Sequence, residues 1–222
     1  MSSAVVLLSG GIDSTVALAK AVSEGRACHA LLVEYGQRHI VELAHAERIA
    51  ARYSAPVTRV SVGLPAMGPS DALVGATTVP TRRSLRAIAT TPRPATFVPG
   101  RNLILLSLGY AFASARRLDA VVIGATLEDA VGYADCRERF LFEFEWAARC
   151  GTESSVRLDR PWTALRKSEV IREGARLGVY FAETLSCYQP EDGIHCGTCD
   201  ACTVRRNGFR EAGVSDPTEY RE

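Results

Sequence analysis

The sequence predicts an α/β protein built on a parallel sheet with helices on both faces. Near-continuous apolar runs alternate with stretches of helical periodicity through the first third of the chain, the pattern that parallel strands covered on both faces require. A paired-glycine turn, Gly10-Gly11, stands between the first apolar run and the first helical stretch. With 222 residues and 47% hydrophobic content, the chain can bury a core of its own.

Taken in order, Ala4 to Leu8 is the first strand and Ser14 to Ser23 the first helix. Ala27 to Val33 is a second strand, which runs into Glu34-Tyr35-Gly36-Gln37-Arg38-His39. Val41 to Tyr53 sets Leu43, Ala46, Ile49 and Ala50 at helical spacing, and Pro56 to Val62 is a third strand. Regularity then stops: six prolines fall between Gly63 and Pro99. An unstructured stretch of that length is unusual inside a compact domain. Residues 63–98 are either disordered or a lid that orders over a ligand. The pattern resumes with a helix from Asn102 to Arg117, a strand from Ala120 to Gly124, and helices from Arg137 to Cys150 and Ser168 to Leu177. Residues 1–180 are expected to form the α/β domain and 181–222 a small cysteine-rich subdomain.

Charge is balanced, with 26 basic and 25 acidic residues and a formal net charge of +1. That balance argues against an extended nucleic-acid-binding surface. No secretory leader or membrane-length apolar run is visible, so a cytoplasmic protein with reduced cysteines is expected. Lys20 and Lys167 are the two lysines, which makes each worth placing.

Ser9-Gly10-Gly11-Ile12-Asp13-Ser14-Thr15 has the chemistry of a phosphate loop. The glycines allow a turn and close approach of an anion, and the following helix begins with unpaired N–H groups. It lacks both the Gly-Lys-Ser/Thr of a Walker loop and the third glycine of a dinucleotide loop. In an open parallel sheet, ligands bind beyond the carboxyl ends of the strands. Two further polar stretches fall at such ends: Glu34 to His39, which carries Gln37, and Thr126 to Arg137, which carries Glu128, Asp129, Tyr133, Asp135 and Arg137. Asp135 could accept protons from a guanine-like edge or cap the following helix. Arg101, after the Pro99-Gly100 turn, could meet phosphate or carboxylate, or be an ordinary surface arginine. Lys167 lies at a helix start, where an anion would offset the unfavourable dipole, which points to a phosphate role.

Cys187, Cys196, Cys199 and Cys202 supply four soft ligands within sixteen residues. Their spacing suits a closed, structural tetrahedral zinc site, with His195 as an alternative ligand. An iron–sulfur cluster and a redox cysteine pair compete with that reading.

The strings SGGIDST, EYGQRH, FVPGRN, GYADCR, Lys167-Ser168-Glu169, SCY and CGTCDAC occur in this order. Together they resemble the 7-cyano-7-deazaguanine synthases, within the pyrophosphate-loop ATPases. The resemblance departs at Ala134, where that family has Pro, and at Val131, where Ser is common. It implies a Rossmann-like sheet of the adenine-nucleotide α-hydrolase type and a C-terminal zinc subdomain. Nucleotide binding is implied for Leu8, Ser9, Gly10, Gly11, Ile12, Asp13, Ser14, Thr15, Val16, Ala17 and Leu18. Catalytic roles are expected of Asp13, Ser14, Lys167 and Arg101, and deazapurine contacts of Gln37, Tyr133, Asp135 and Arg137. The implied reaction joins 7-carboxy-7-deazaguanine and ammonia at the expense of ATP, with Mg²⁺, in a homodimer that needs no nucleic acid and no membrane. A tRNA-modifying enzyme with the same loop, a homologue that conjugates the acid to another amine, and a non-enzymatic zinc module are the alternatives.

Overall fold

A computed structural model describes residues 2–64, 72–75 and 77–221. Part of the proline-rich stretch, including Pro65 and Pro69, lies outside them. The elements are β1 (Ser3–Leu7), α1 (Ile12–Ser23), β2 (Ala27–Glu34), α2 (Glu42–Arg52), β3 (Val57–Ser61), α3 (Leu85–Ala89), α4 (Arg101–Arg116), β4 (Ala120–Val122), α5 (Asp129–Gly132), α6 (Glu138–Thr152), β5 (Arg157–Asp159), α7 (Lys167–Arg176) and α8 (Asp200–Ala212).

The five strands form one parallel sheet in the order β3-β2-β1-β4-β5. Ala4 pairs with Cys28 on one side and Ala120 on the other, so β1 is central. Its alternate residues feed two cores, which is why it reads as an unbroken apolar run. Ala4 and Val6 pack with Val16, Ile49, Ile171 and Phe209, which places α1, α2, α7 and α8 on one face. Val5 packs with Leu106, Tyr110 and Leu141 of α4 and α6 on the other. The chain runs outward through β2 and β3, then returns to place β4 beside β1. Between β1 and β4 the connections leave in opposite directions, and a crevice opens there.

The predicted elements are present with shifted ends. Leu85–Ala89, Asp129–Gly132, Arg157–Asp159 and Asp200–Ala212 are additional. The described part of 63–98 is packed: Ala72, Leu73 and Val79 are buried, and Leu73 O accepts from Arg38 N at 2.9 Å. Among the described residues, no helix is long and apolar enough to cross a membrane.

Two glycines permit the crowding at the crevice. Gly10 has φ +83°, and a Cβ there would lie 2.7 Å from Glu42 O. At Gly124 a Cβ would lie 2.8 Å from both Asp13 C and Ser14 N, so β4 can end against the start of α1. Gly124→Ala should therefore cost about 1–3 kcal/mol through overpacking against backbone. Gly151→Ala, in α6 with nothing within 4 Å of its Cβ, should be neutral or gain up to about 1 kcal/mol. Urea unfolding of the two variants checks both signs.

Candidate active site and metal centre

A cavity of about 570 Å³ occupies the crevice, and its wall is drawn from nearly every part of the chain. The turn after β1 contributes Leu8, Ser9 and Gly11, and the start of α1 contributes Ile12, Asp13 and Ser14. The turn is held by its own hydroxyls: Ser9 N donates to Ser14 Oγ at 3.2 Å, Gly11 N to Ser9 Oγ at 3.3 Å, and Thr15 Oγ1 to Gly11 O at 2.7 Å. Gly11 precedes α1 with no side-chain cap, which leaves the helix start open to an anion. Thr15, Val16, Ala17 and Leu18 are buried in α1 behind the wall.

Lys167 opens α7, and its Nζ pairs with Asp13 Oδ2 across the cavity. The unfavourable placement of a cation at a helix start is offset by carboxylates. Lys167 N donates to both oxygens of Glu128 at 3.1 Å, and Arg166 N donates to Glu169 Oε2 at 2.8 Å. Burial works against the lysine's charge, but Asp13, Asp129 and Glu128 outweigh it and raise its pKa. Burial also raises the Asp13 carboxyl, against the pull of Lys167. Asp13 Oδ1 is buried without a hydrogen-bond partner, while Trp162 Nε1 donates to Asp13 O at 3.1 Å.

At the other end, Arg101 begins α4 and faces the cavity. Among the described residues it has no ion-pair partner, and its guanidinium lies 5.7 Å from the Tyr133 ring centroid. Burial opposes its charge, but surrounding groups led by Tyr35 and Tyr133 raise its pKa overall. Tyr133 shares a 2.6 Å hydrogen bond with Thr96 and another with Tyr188. Val131 also lines the cavity, while Ala134 opens a 3₁₀ turn.

The structure does not bring the other three expected substrate contacts to the cavity wall. Asp135 Oδ2 accepts from Asn102 N at 2.9 Å, so it holds the first turn of α4 and not the start of the helix that follows it. Arg137 Nε donates to Ala130 O at 3.1 Å. Gln37 is buried, with its Oε1 accepting from Tyr35 N at 2.8 Å and its Nε2 donating to Glu42 Oε1 at 3.0 Å. Sequence reasoning missed Glu42 and Tyr188, and named Glu128 and Asp129 without assigning either a role; all four line the cavity. Glu128 and Asp129 belong to a polar stretch already singled out, and Tyr188 adjoins Cys187.

The sulfurs of Cys187, Cys196, Cys199 and Cys202 lie within 4.8 Å of one another and could hold a metal ion. Three separations are 3.5, 3.9 and 4.0 Å. They bracket the edge of about 3.8 Å expected for four sulfurs about 2.3 Å from one centre. Backbone N–H groups are aimed at the sulfurs, with Cys196 N to Cys187 Sγ at 3.3 Å and Cys199 N to Cys196 Sγ at 3.4 Å, an arrangement that suits thiolates. His195 stands apart: its Nε2 accepts from Ser186 N at 3.1 Å, and burial pushes its pKa down to about 4.

The cluster is tied to the cavity wall. Thr81 bridges Cys199, Arg82 N donates to Thr198 O at 2.7 Å, and Arg83 Nη1 meets Asp200 Oδ2 at 3.0 Å. The chain then supplies Leu85, Ile88, Thr91 and Pro94 to the wall.

Fold and site together define an α/β protein with an uncapped strand–turn–helix at its switch point and, beside it, a four-cysteine cluster that could hold a metal. The chain belongs to the family of queuosine biosynthesis protein QueC, whose model matches residues 3–213. The 7-cyano-7-deazaguanine synthase of Anaeromyxobacter dehalogenans (strain 2CP-C) is 46% identical over 223 residues, covering 98% of this chain and 95% of the relative. The enzyme of that name from Thiobacillus denitrificans (strain ATCC 25259 / T1) is 44% identical over 224 residues, covering 98% and 97%. NMN synthetase from Francisella tularensis shares the fold, with a TM-score of 0.50 and 19% identity over 96% of this chain and 78% of that chain.

Stripping metal from the cluster should loosen residues 81–94, because their backbone ties end on Thr198 and Cys199. Tryptic cleavage at Arg82, Arg83 and Arg86 should accelerate after chelation and return to its starting rate on reloading.

Proposed function

We propose that the protein converts 7-carboxy-7-deazaguanine, ATP and ammonia into 7-cyano-7-deazaguanine, and that it does so in the cytoplasm as a homodimer without nucleic acid. The observation that carries this reading is the shared cavity. One end offers the glycine turn and the Asp13–Lys167 pair, and the other offers Arg101 and Tyr133. A nucleotide triphosphate suits the first end and an aromatic acid the second. Near full-length relatives named for the nitrile product support it.

The chemistry follows from what must leave. A carboxylate and ammonia become a nitrile only if both oxygens are lost, and neither leaves unaided. The acid's carboxylate attacks the α-phosphorus of ATP, which gives an acyl adenylate and pyrophosphate. Ammonia then displaces AMP, and the resulting amide is activated through its oxygen by a second ATP before the nitrile forms. Donors fixed in advance where charge develops lower such barriers. In this reading Ser9, Gly10, Gly11, Ser14 and the α1 start hold pyrophosphate, and Lys167 meets the phosphate charge that builds during transfer. Bound Mg²⁺ would supply Lewis-acid neutralisation of phosphate charge, and Asp13, with its unpartnered Oδ1, is the residue to hold it. Arg101 takes the acid's carboxylate as a charge-assisted pair, and Tyr133 covers the deazapurine ring. Asp135 and Gln37 position Arg101 and Glu42 from behind. Zinc in the four-cysteine knuckle is structural, because four thiolates leave no open position, and residues 181–222 act as its subdomain.

The decisive measurement is mass spectrometry after incubation with the acid, ATP, Mg²⁺ and ammonium. Amide followed by nitrile is expected, and formation of neither overturns the reading. Asp13→Ala should lower turnover at least about 100-fold, in the range lost when one electrostatic group is removed, while bound zinc stays at one per chain by metal analysis. A brown protein containing iron and sulfide would exclude the zinc assignment.

A further inference from the structure

The proposed reaction leaves one chemical need unmet: the attacking nitrogen must lose a proton. Ammonia arrives largely as ammonium at neutral pH, and the nitrogen that adds to the acyl carbon carries an extra proton until a base removes it. Lys167 and Arg101 cannot accept one; among the cavity carboxylates Asp13 is engaged with Lys167 Nζ, Glu128 with Lys167 N, Asp129 with Thr126 N and Oγ1, and Asp200 with Arg83.

Glu42 is a carboxyl in the cavity wall that no step has used. It is the first residue of α2, and only 8% of its surface is exposed. Its Oε1 accepts from Gln37 Nε2 at 3.0 Å, and its Oε2 lies 3.4 Å from His39 Nε2. Gln37 is fixed in turn by Tyr35 N and Val33 O. The carboxyl is therefore held in one orientation by a neutral amide, with no cation in direct contact to commit it to the ionised form.

The groups around it are few. His39, on the same loop, is pushed down to about 4, first by burial and then by Arg101, so it stays neutral. From α4, Arg101 acts on Glu42 only at a distance, and its pull is weaker than burial. Tyr188, from the stretch after Cys187, meets the edge of the His39 ring at 6.2 Å between centroids. Tyr35 lies on the same loop, while His45, one turn along α2, has its Nδ1 on Glu183 O at 2.7 Å. From the phosphate loop the approach is the backbone at Gly10.

We propose that Glu42 is the general base of the amide-forming step, accepting the proton that the attacking nitrogen gives up. The proposal rests on the reaction proposed above. In balance, the nitrogen lone pair forms the C–N bond, the acyl C–O bond to AMP breaks with its electron pair leaving on AMP, and the displaced proton goes to a Glu42 oxygen. Protonated Glu42 can then donate to His39 Nε2. Burial pushes the Glu42 carboxyl up to about 8, near the working pH, where a carboxylate both exists and holds a proton.

The test separates activation from amide formation. Glu42→Gln preserves the acceptor that Gln37 needs. It should leave acid-dependent ATP–pyrophosphate exchange within about threefold of wild type, while amide formation falls about 100-fold or more. At constant free ammonia, the wild-type amide rate should rise with pH through about 8 as Glu42 ionises, and the variant should lose that limb. Hydroxylamine, a less basic nitrogen whose adduct loses its proton readily to water, should recover much of the variant's rate. Full amide formation in the variant, or parallel loss of exchange and amide formation, overturns the role of Glu42. If Glu42→Gln does not fold, Glu42→Asp keeps the charge but withdraws it by one methylene, and exchange without efficient amide formation is again expected. Absence of acid-dependent exchange in wild type would instead overturn the reaction itself.

Discussion

The molecule depends on the pairing of Asp13 with Lys167. Two helix starts, α1 and α7, bring their positive ends to one crevice, and Lys167 adds a full charge that is only 15% exposed. Such a concentration of positive potential is unfavourable without anions. Asp13 answers the ammonium, and Glu128 takes the first N–H of α7. The site is thus held together by carboxylates placed where an incoming phosphate would also be attracted. Burial keeps that balance fine, since it opposes ionisation of both members of the pair.

The parallel sheet supplies the location. Because β4 returns beside β1, the loops after both strands open onto one crevice, and Gly124 lets them approach to backbone contact. The far end is organised differently. Arg101 is half-buried without an anionic partner among the described residues, with Tyr35, Tyr133 and Tyr188 around it. A guanidinium in that state is open to a charge-assisted pair with a ligand's carboxylate. One end is pre-neutralised and the other is waiting, an asymmetry that matches a substrate carrying one carboxylate and a nucleotide carrying several phosphates.

Much of the fold was legible in the sequence because the centres of β1 and β2 are buried on both faces and show it as near-continuous apolar runs. Short strands do not announce themselves: Arg157–Asp159 has one buried residue and two polar ones, and its pairing with β4 comes from tertiary context. α8 was hidden because its apolar face is sparse and its start is occupied by cysteines. Its largest buried side chain is Arg205, satisfied by Thr184 Oγ1 at 2.9 Å, Ser186 Oγ at 3.1 Å and Phe181 O at 3.1 Å. At the site, the glycine turn, Lys167, Arg101 and Tyr133 were legible from residue type and position. Whether a polar residue faces the cavity was not. Gln37 and Glu42 are five residues apart on one loop and helix start, yet the first serves the second, and only the three-dimensional path of the loop distinguishes them.

The cysteine knuckle belongs to the same argument. Four cysteines whose sulfurs lie within 4.8 Å of one another could hold a metal ion, and a metal there would fix the backbone from Cys187 to Cys202, from which two contacts reach the cavity. Tyr188, next to the first cysteine, reaches the tyrosine cluster at Arg101, while Thr198 and Cys199 fasten the chain that leads into α3. Neither contact could be set by the sheet, because both arise on segments with no regular hydrogen-bonded ladder of their own. A structural metal held at this place would do for irregular chain what the parallel sheet does for the glycine turn: it would convert loops into walls. A closed centre of that kind, with no open ligand position, would still determine the shape of the cavity beside it.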